Sequence, residues 1–229
     1  KSIISRIPLE GYGSMQDFFN LESDLANAEF LNFLATNSHT LYLEITLDSG
    51  FTSEMFDGSK LSLKENIKIT SSIVKKAHNS KVSVEGEVGF VGYANGKNSK
   101  GTLIDEAIKF SRESNVDAMA ISVGNTHLQT KKIAKIDFDK IQKIQNSIST
   151  PLVLHGGSGI PNQTRKKLAK ETNIAKFNIG TEVRMAFGNA LKGQIKKNPL
   201  VYDRLQLLKP TIPEITKITK KIIKNIGPK

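Results

Sequence analysis

From Lys81 onward the chain alternates short apolar runs with longer amphipathic ones. Val82–Val88 alternates toward a strand, and Asp117–Val123, Pro151–His155 and Ile174–Ile179 read as further strands. Between them the spacing of apolar residues predicts helices. Thr102-Leu103-Ile104-Asp105 resembles a capping box opening a helix to about Ser114. Asp137–Ile148 follows, then Pro161–Thr172 with proline at its start, then Thr181–Lys197. Ile212–Ile226 closes the chain as a lysine-rich amphipathic helix. Regular alternation of β and α with short turns argues for a parallel sheet.

The N-terminal part is less regular. Asn20–Leu34 predicts a helix, Thr40–Ile45 and Ser53–Asp57 strands, and Ser62–His78 another helix. Only seven residues join Ile45 to Ser53. Parallel neighbours need a crossover of about a dozen residues. Either these two strands are not parallel neighbours, or a β/α unit is missing between them. The strand count is six or seven, short of the eight that close a barrel. No internal repeat, low-complexity segment or linker divides residues 1–229, which read as one domain.

A chain of 229 residues with 38% apolar side chains suits one α/β barrel or one large doubly wound domain. The absence of cysteine excludes disulfides and thiolate metal sites, so any metal must be held by nitrogen and oxygen. The net charge of +11 fits either an anionic ligand or lysine-rich solvated faces. The lysines are scattered in pairs such as Lys75-Lys76, Lys166-Lys167 and Lys220-Lys221, not gathered on one stripe with aromatics. That favours solvated faces over a nucleic-acid footprint. No signal-peptide pattern and no bilayer-length apolar run is present, so the expectation is a soluble cytoplasmic protein without membrane or nucleic-acid partners.

Four histidines are available. His78 ends a helix, where the dipole favours it, and His39 precedes a strand with no partner in view. His127 and His155 each follow an apolar strand. In a parallel sheet, two such side chains point into one mouth, where a shared metal or an acid–base role is open to them. Among the carboxylates, Asp57 ends the Ser53–Asp57 strand, and Glu85 and Glu87 share one face of Val82–Val88. Such a pair is either a solvent-facing edge or a functional pair at a barrel mouth. Gly156-Gly157-Ser158-Gly159 precedes the helix at Pro161, and Asn178-Ile179-Gly180-Thr181 precedes the next long helix. Main-chain amides of such turns, with a helix N-terminus behind them, make anion pockets.

Taken in order, Val84-Glu85-Gly86-Glu87-Val88-Gly89, Val123-Gly124-Asn125-Thr126-His127, Leu152–Gly159 and Asn178-Ile179-Gly180-Thr181-Glu182 resemble the class II, metal-dependent ketose-bisphosphate aldolases. The likeness covers roughly residues 51–229. It implies a (β/α)₈ TIM barrel, here lacking part of an N-terminal β/α unit, and a homodimer or homotetramer. It implies Zn²⁺ held by His127 and His155, with Asp57 and Glu87 at the acidic positions for a second divalent or monovalent cation. Gly156, Gly157, Ser158, Asn178, Ile179, Gly180 and Thr181 would hold the phosphate of a dihydroxyacetone phosphate moiety. The implied reaction is reversible cleavage of fructose or tagatose 1,6-bisphosphate to dihydroxyacetone phosphate and glyceraldehyde 3-phosphate.

The chain departs from the family pattern in three places. The family's histidine–leucine–aspartate–histidine–glycine strand, with the third zinc ligand and an acid–base aspartate, has no counterpart. Leu47-Asp48-Ser49-Gly50 could take its place, with Asp48 as the aspartate and Ser49 replacing histidine, but it aligns equally well with the turn before Phe51. Leu128 stands where the family has a phosphate-binding glycine, and Tyr93-Ala94-Asn95-Gly96-Lys97 lacks the acidic residues that often supply a base. Two other readings therefore stay open: a degenerate barrel that binds a sugar phosphate or a partner subunit without catalysis, and another phosphate-binding barrel enzyme, such as an isomerase, using His155.

Overall fold

The computed structural model describes residues 50–94, 96 and 99–227. The expected helix Asn20–Leu34, the strand Thr40–Ile45 and Asp48 lie outside the described residues. The chain divides into two compact units. One is drawn from the spans Lys1–Gly86 and Arg112–Asp117, the other from Glu87–Ser111 and Ala118–Lys229.

In the first unit β1 (Ser53–Phe56) leads into helix α1 (Leu63–Asn79) and then into β2 (Ser83–Val88), which runs on past the unit's boundary. β1 and β2 pair in parallel, Ser53 opposite Ser83 and Phe56 opposite Gly86. A capping box starts α1: the Glu65 amide donates to Ser62 Oγ, and the Ser62 amide donates back to the Glu65 carboxylate. Ile67, Ile73, Val74 and Ala77 form its buried stripe. The end of α1 is tied down by His78, whose Nε2 lies 2.9 Å from Asp117 Oδ2. The same carboxylate oxygen accepts the Val84 amide at 2.7 Å. Burial pushes the Glu54 carboxyl on β1 up to about 7.

The second unit carries β3 (Ala118–Ile121), β4 (Leu152–Leu154) and β5 (Ile174–Phe177). They pair in parallel, Met119 opposite Leu152 and Leu154 opposite Phe177, with an irregularity at Leu152/Val153. Each strand follows or precedes a helix: α2 (Ile104–Ser114), α3 (Phe138–Gln145), α4 (Asn162–Glu171) and α5 (Thr181–Lys197). Met119, Ile121, Leu152 and Leu154 are fully buried, as are Phe110 of α2, Ile141 and Ile144 of α3 and Leu168 of α4. Burying such side chains stabilises by about 1.5–3 kcal/mol each. A short α6 (Arg204–Leu208), absent from the sequence reading, precedes the closing helix α7 (Ile212–Ile226).

The expected parallel pairing and helix order are present, and five strands fall among the described residues, against the eight of a closed barrel. The strands are shorter than the apolar runs suggested. Gly124 (φ +98°) and Gly156 (φ +63°) turn the chain sharply soon after β3 and β4. Thr102 does not cap α2 as expected, because its hydroxyl is already engaged between two strand ends. It donates to Val88 O at 2.7 Å and accepts the Ser122 amide at 2.7 Å.

Candidate active site

All the contacts that follow lie within the second unit. His155 sits directly after β4 and is 5% exposed. Its Nδ1 lies 3.0 Å from Glu87 Oε2 at the end of β2, and Glu87 is itself 2% exposed. A carboxylate there makes Nδ1 the proton-bearing nitrogen and puts the lone pair on Nε2. Glu85 and Glu87 are each 2% exposed, so neither faces solvent as an edge residue would.

His127 is not at the end of β3, as the apolar run suggested, but in the loop beyond it. Main-chain bonds hold it there: its amide donates to Gly92 O at 2.8 Å and its carbonyl accepts the Ala94 amide at 3.0 Å, an isolated parallel bridge beside Tyr93. Tyr93 stacks on its ring, with centroids 5.1 Å apart and planes at 29°. The His155 ring lies 5.7 Å from the His127 ring by centroid, tilted at 47°.

Asn125 joins the two histidine loops. Its Nδ2 donates to Ile121 O and to His155 O, each at 3.1 Å, and its Oδ1 accepts the Val123 amide at 2.7 Å. The side chain is wholly buried, so three main-chain groups that water cannot reach depend on it. Gly156 completes the join. It is left-handed, and a Cβ there would lie 2.3 Å from Thr126 O, so no larger residue fits between the loops.

The glycine turn and the next loop form one surface. Gly157–Gly159 make a short 3₁₀ turn, the Gly157 amide donates to Asn178 O at 3.0 Å, and the Asn178 amide donates to Leu154 O at 2.9 Å. The β4–β5 ladder thus continues into both turns. Gly180 precedes the first residue of α5, Thr181, and the next amide, that of Glu182, donates to Ser158 Oγ at 3.1 Å. Of the expected site residues, the structure brings together His127, His155, Glu87, Gly156, Gly157, Ser158, Asn178, Ile179, Gly180 and Thr181. Asp48 lies outside the described residues, and Asp57 belongs to the other unit. Asp57 is exposed, in the turn after β1, where its Oδ1 accepts from the Ser59 amide at 3.0 Å and the Ser59 hydroxyl at 2.6 Å.

Sequence reading gave no role to Asn125, Tyr93, Lys132, Arg165 or Glu182. Asn125 and Glu182 stand inside quoted motifs, which was the available signal. Arg165 sits in a polar, lysine-rich helix and reads as solvated, yet it is 1% exposed. It pairs with Glu182, Nη1 to Oε2 at 2.6 Å, and Lys132 reaches the same carboxylate. Burial pushes the Glu182 carboxyl up, but the hydrogen bonds from Arg165 and Lys132 outweigh it and hold the group below the usual carboxylate range.

The donor chemistry of the two imidazoles suits zinc. An ion about 2.1 Å from one nitrogen of each ring, at a tetrahedral angle, sets the centroids on the order of 5 Å apart, close to the spacing found here. Among the described residues no group of three or more His, Cys, Asp or Glu side chains is placed to hold a metal ion. The fit is that of two ligands of a larger set.

A parallel α/β unit with polar side chains and glycine turns collected after its strands defines a small-molecule site of the barrel and doubly wound type. The family model for class II fructose-bisphosphate aldolase matches residues 37–229, and the chain belongs to that family. It is 36% identical over 184 residues to 6-phospho-5-dehydro-2-deoxy-D-gluconate aldolase of Shouchella clausii, covering 79% of this chain and 62% of that protein. It is 38% identical to sulfofructosephosphate aldolase of Alkalicoccus urumqiensis, over 67% of this chain and 55% of that protein. With the fructose-bisphosphate aldolase of Geobacillus stearothermophilus it shares 34%, over 72% and 58%. Among solved structures, the YdjI aldolase of Escherichia coli superposes with a TM-score of 0.69 at 28% identity, over 81% of this chain and 64% of that one. The chain thus spans roughly three fifths of the length of the curated relatives it matches. No helix among the described residues is long and apolar enough to cross a membrane.

Proposed function

We propose that the chain is the site-bearing part of a zinc-dependent aldolase that reversibly cleaves a phosphorylated ketose to dihydroxyacetone phosphate and an aldehyde. Fructose or tagatose 1,6-bisphosphate is the substrate to try first. The observation that carries this reading is the His155–Glu87 pair facing His127 beside the Ser158 turn. The named relatives act on different sugar phosphates, which agrees with a common phosphate cradle and a variable aldehyde end.

In this reading His127 and His155 hold Zn²⁺, which when bound draws electron density from the substrate ketone and stabilises the negative charge that develops there. Glu87 keeps His155 in the ligating tautomer and orientation from behind. The Gly157, Gly159 and Asn178 amides are spent in shaping the two turns, and Ser158 with the remaining amides of the Gly156–Gly159 and Asn178–Thr181 turns grips the phosphate and fixes the reacting carbons in register. Asn125 keeps the two histidine loops in step.

The sequence has no counterpart of the family's histidine–leucine–aspartate–histidine–glycine strand, which supports one competing reading, a phosphate-binding barrel without catalysis. Zinc analysis and a coupled cleavage assay with and without chelator separate the two. The expected result is bound zinc and cleavage that stops on chelation and returns with zinc. Cleavage that survives chelation would overturn the metal-dependent reading. Zinc-replete protein that binds sugar phosphate without cleaving it would establish the non-catalytic one.

A further inference from the structure

The Glu182 carboxylate is the meeting point of three successive β/α segments. Lys132, from the segment that follows His127, donates to it. Arg165, from α4 beyond the glycine turn, reaches it with Nη1 at 2.6 Å and Nη2 at 3.4 Å. Glu182 itself stands in the first turn of α5, where the helix dipole favours a negative charge. Asn162 braces both cations: its Oδ1 accepts from Lys132 Nζ at 2.6 Å and from the Arg165 guanidinium. The Arg165 guanidinium is almost wholly withdrawn from water, so this is a built cluster and not a chance surface pair.

The same residue touches the cradle through its backbone. The Glu182 amide donates to Ser158 Oγ at 3.1 Å. Ser158 therefore accepts along that direction, and its own proton is left to donate to an anion. Where the Glu182 backbone stands decides where the Ser158 hydroxyl points, and where the backbone stands is decided by what its carboxylate grips.

We infer that Glu182, clamped by Arg165 and Lys132, is a positioning residue for phosphate. It holds the start of α5 against the glycine turn so that Ser158 presents its proton to the anion, without touching the metal or the reacting carbons. The inference rests on the reading of the Ser158 turn as the phosphate cradle. It adds the residue that sets the cradle's geometry and predicts that phosphate grip and metal grip can be separated.

The test uses the zinc-loaded protein and inorganic phosphate as probe, titrated by calorimetry, with zinc content and the cleavage kinetics measured alongside. Glu182→Gln keeps the side chain's size and removes its charge. Loss of a charge-assisted clamp is expected to weaken phosphate binding about tenfold and to raise KM for the sugar phosphate by a similar factor. Zinc content should stay at the wild-type level and kcat within about twofold. A general loosening of the fold would instead lower zinc content and kcat together, and that result would overturn the positioning role. If Glu182→Gln does not fold, the paired change Arg165→Met with Glu182→Leu replaces the ion pair by apolar side chains of similar size, which buried sites often accept. The pair should keep zinc and lose phosphate affinity, and wild-type phosphate affinity in it would sink the inference. Wild-type protein that takes no phosphate at all would overturn the cradle reading itself, and the inference with it. A wild type that binds phosphate as well as Glu182→Gln does would overturn only the inference.

Discussion

The two histidines are held in opposite ways. His155 is fixed by its side chain: a buried carboxylate grips Nδ1, and the ring lies under 6% exposed side-chain surface on a turn that only glycine can make. His127 is fixed by its backbone: two main-chain bonds to the Gly92–Ala94 segment set its place, and its ring is steadied by stacking on Tyr93. A side chain with a hydrogen-bonded carboxylate behind it is pre-oriented and more basic. The comparison gives His155 a buried carboxylate against its ring, and His127 a bridged backbone and a tyrosine stacked on its ring.

Removing His155 should do the most damage. His155→Ala is expected to lose zinc and cleavage by on the order of 100-fold or more, since it removes one ligand and strands the Glu87 carboxylate in a buried place. Zinc analysis after dialysis checks this, and normal zinc content in the variant contradicts the ligand role. Next comes Asn125→Ala, which strips partners from the Ile121 and His155 carbonyls and the Val123 amide at once. Each buried group left short costs about 1–3 kcal/mol, so a total of at least roughly 3 kcal/mol and a Tm lower by several degrees or more are expected. Because Asn125 bridges both loops, zinc affinity should fall with it, and an unchanged Tm would show that water replaces the amide there. Glu87→Gln keeps a hydrogen-bonding group against Nδ1 but removes the charge. Zinc affinity should weaken by about 10–100-fold with the fold intact, as a partner behind a ligand does, and equal affinity would place Glu87 outside the site.

What the sequence told, and what it withheld, follows the same division. The order of strands and helices was legible because burial imposes a period on the side chains, as in Ile67, Ile73, Val74 and Ala77 of α1 and in Ile141 and Ile144 of α3. The histidine pair and both glycine turns were legible because their residue types are rare and their spacing is tight. The exact ends of strands were not, since Gly124 and Gly156 end them by backbone conformation that apolar periodicity does not record. Nor was Thr102, whose hydroxyl was claimed by two strand ends before it could cap a helix. Arg165 was hidden for a similar reason. A charged residue among lysines reads as solvated until the fold buries it against Glu182, a contact between residues 17 positions apart. Side-chain hydrogen bonds across loops carry no sequence period, and they hold most of what makes this site specific.

The smallest effect bears on the loop held by its backbone. Leu128, next to His127, has φ +56°, a left-handed conformation that costs a β-carbon-bearing residue about 1–2 kcal/mol. Its side chain is 53% exposed, so little burial offsets the strain. Leu128→Gly removes the strain but adds freedom to the unfolded chain worth about 0.5–1 kcal/mol. The net should be a stabilisation of roughly 1 kcal/mol or less, seen as a Tm raised by a few degrees at most. The exposed amide beside His127 should also become open to an anion, lowering KM for the sugar phosphate while leaving zinc content unchanged. A Tm several degrees below wild type would mean that the Leu128 side chain anchors the loop after all. The His127 loop would then be held by side-chain packing as well as by its main-chain bonds, and the contrast between the two histidines would narrow.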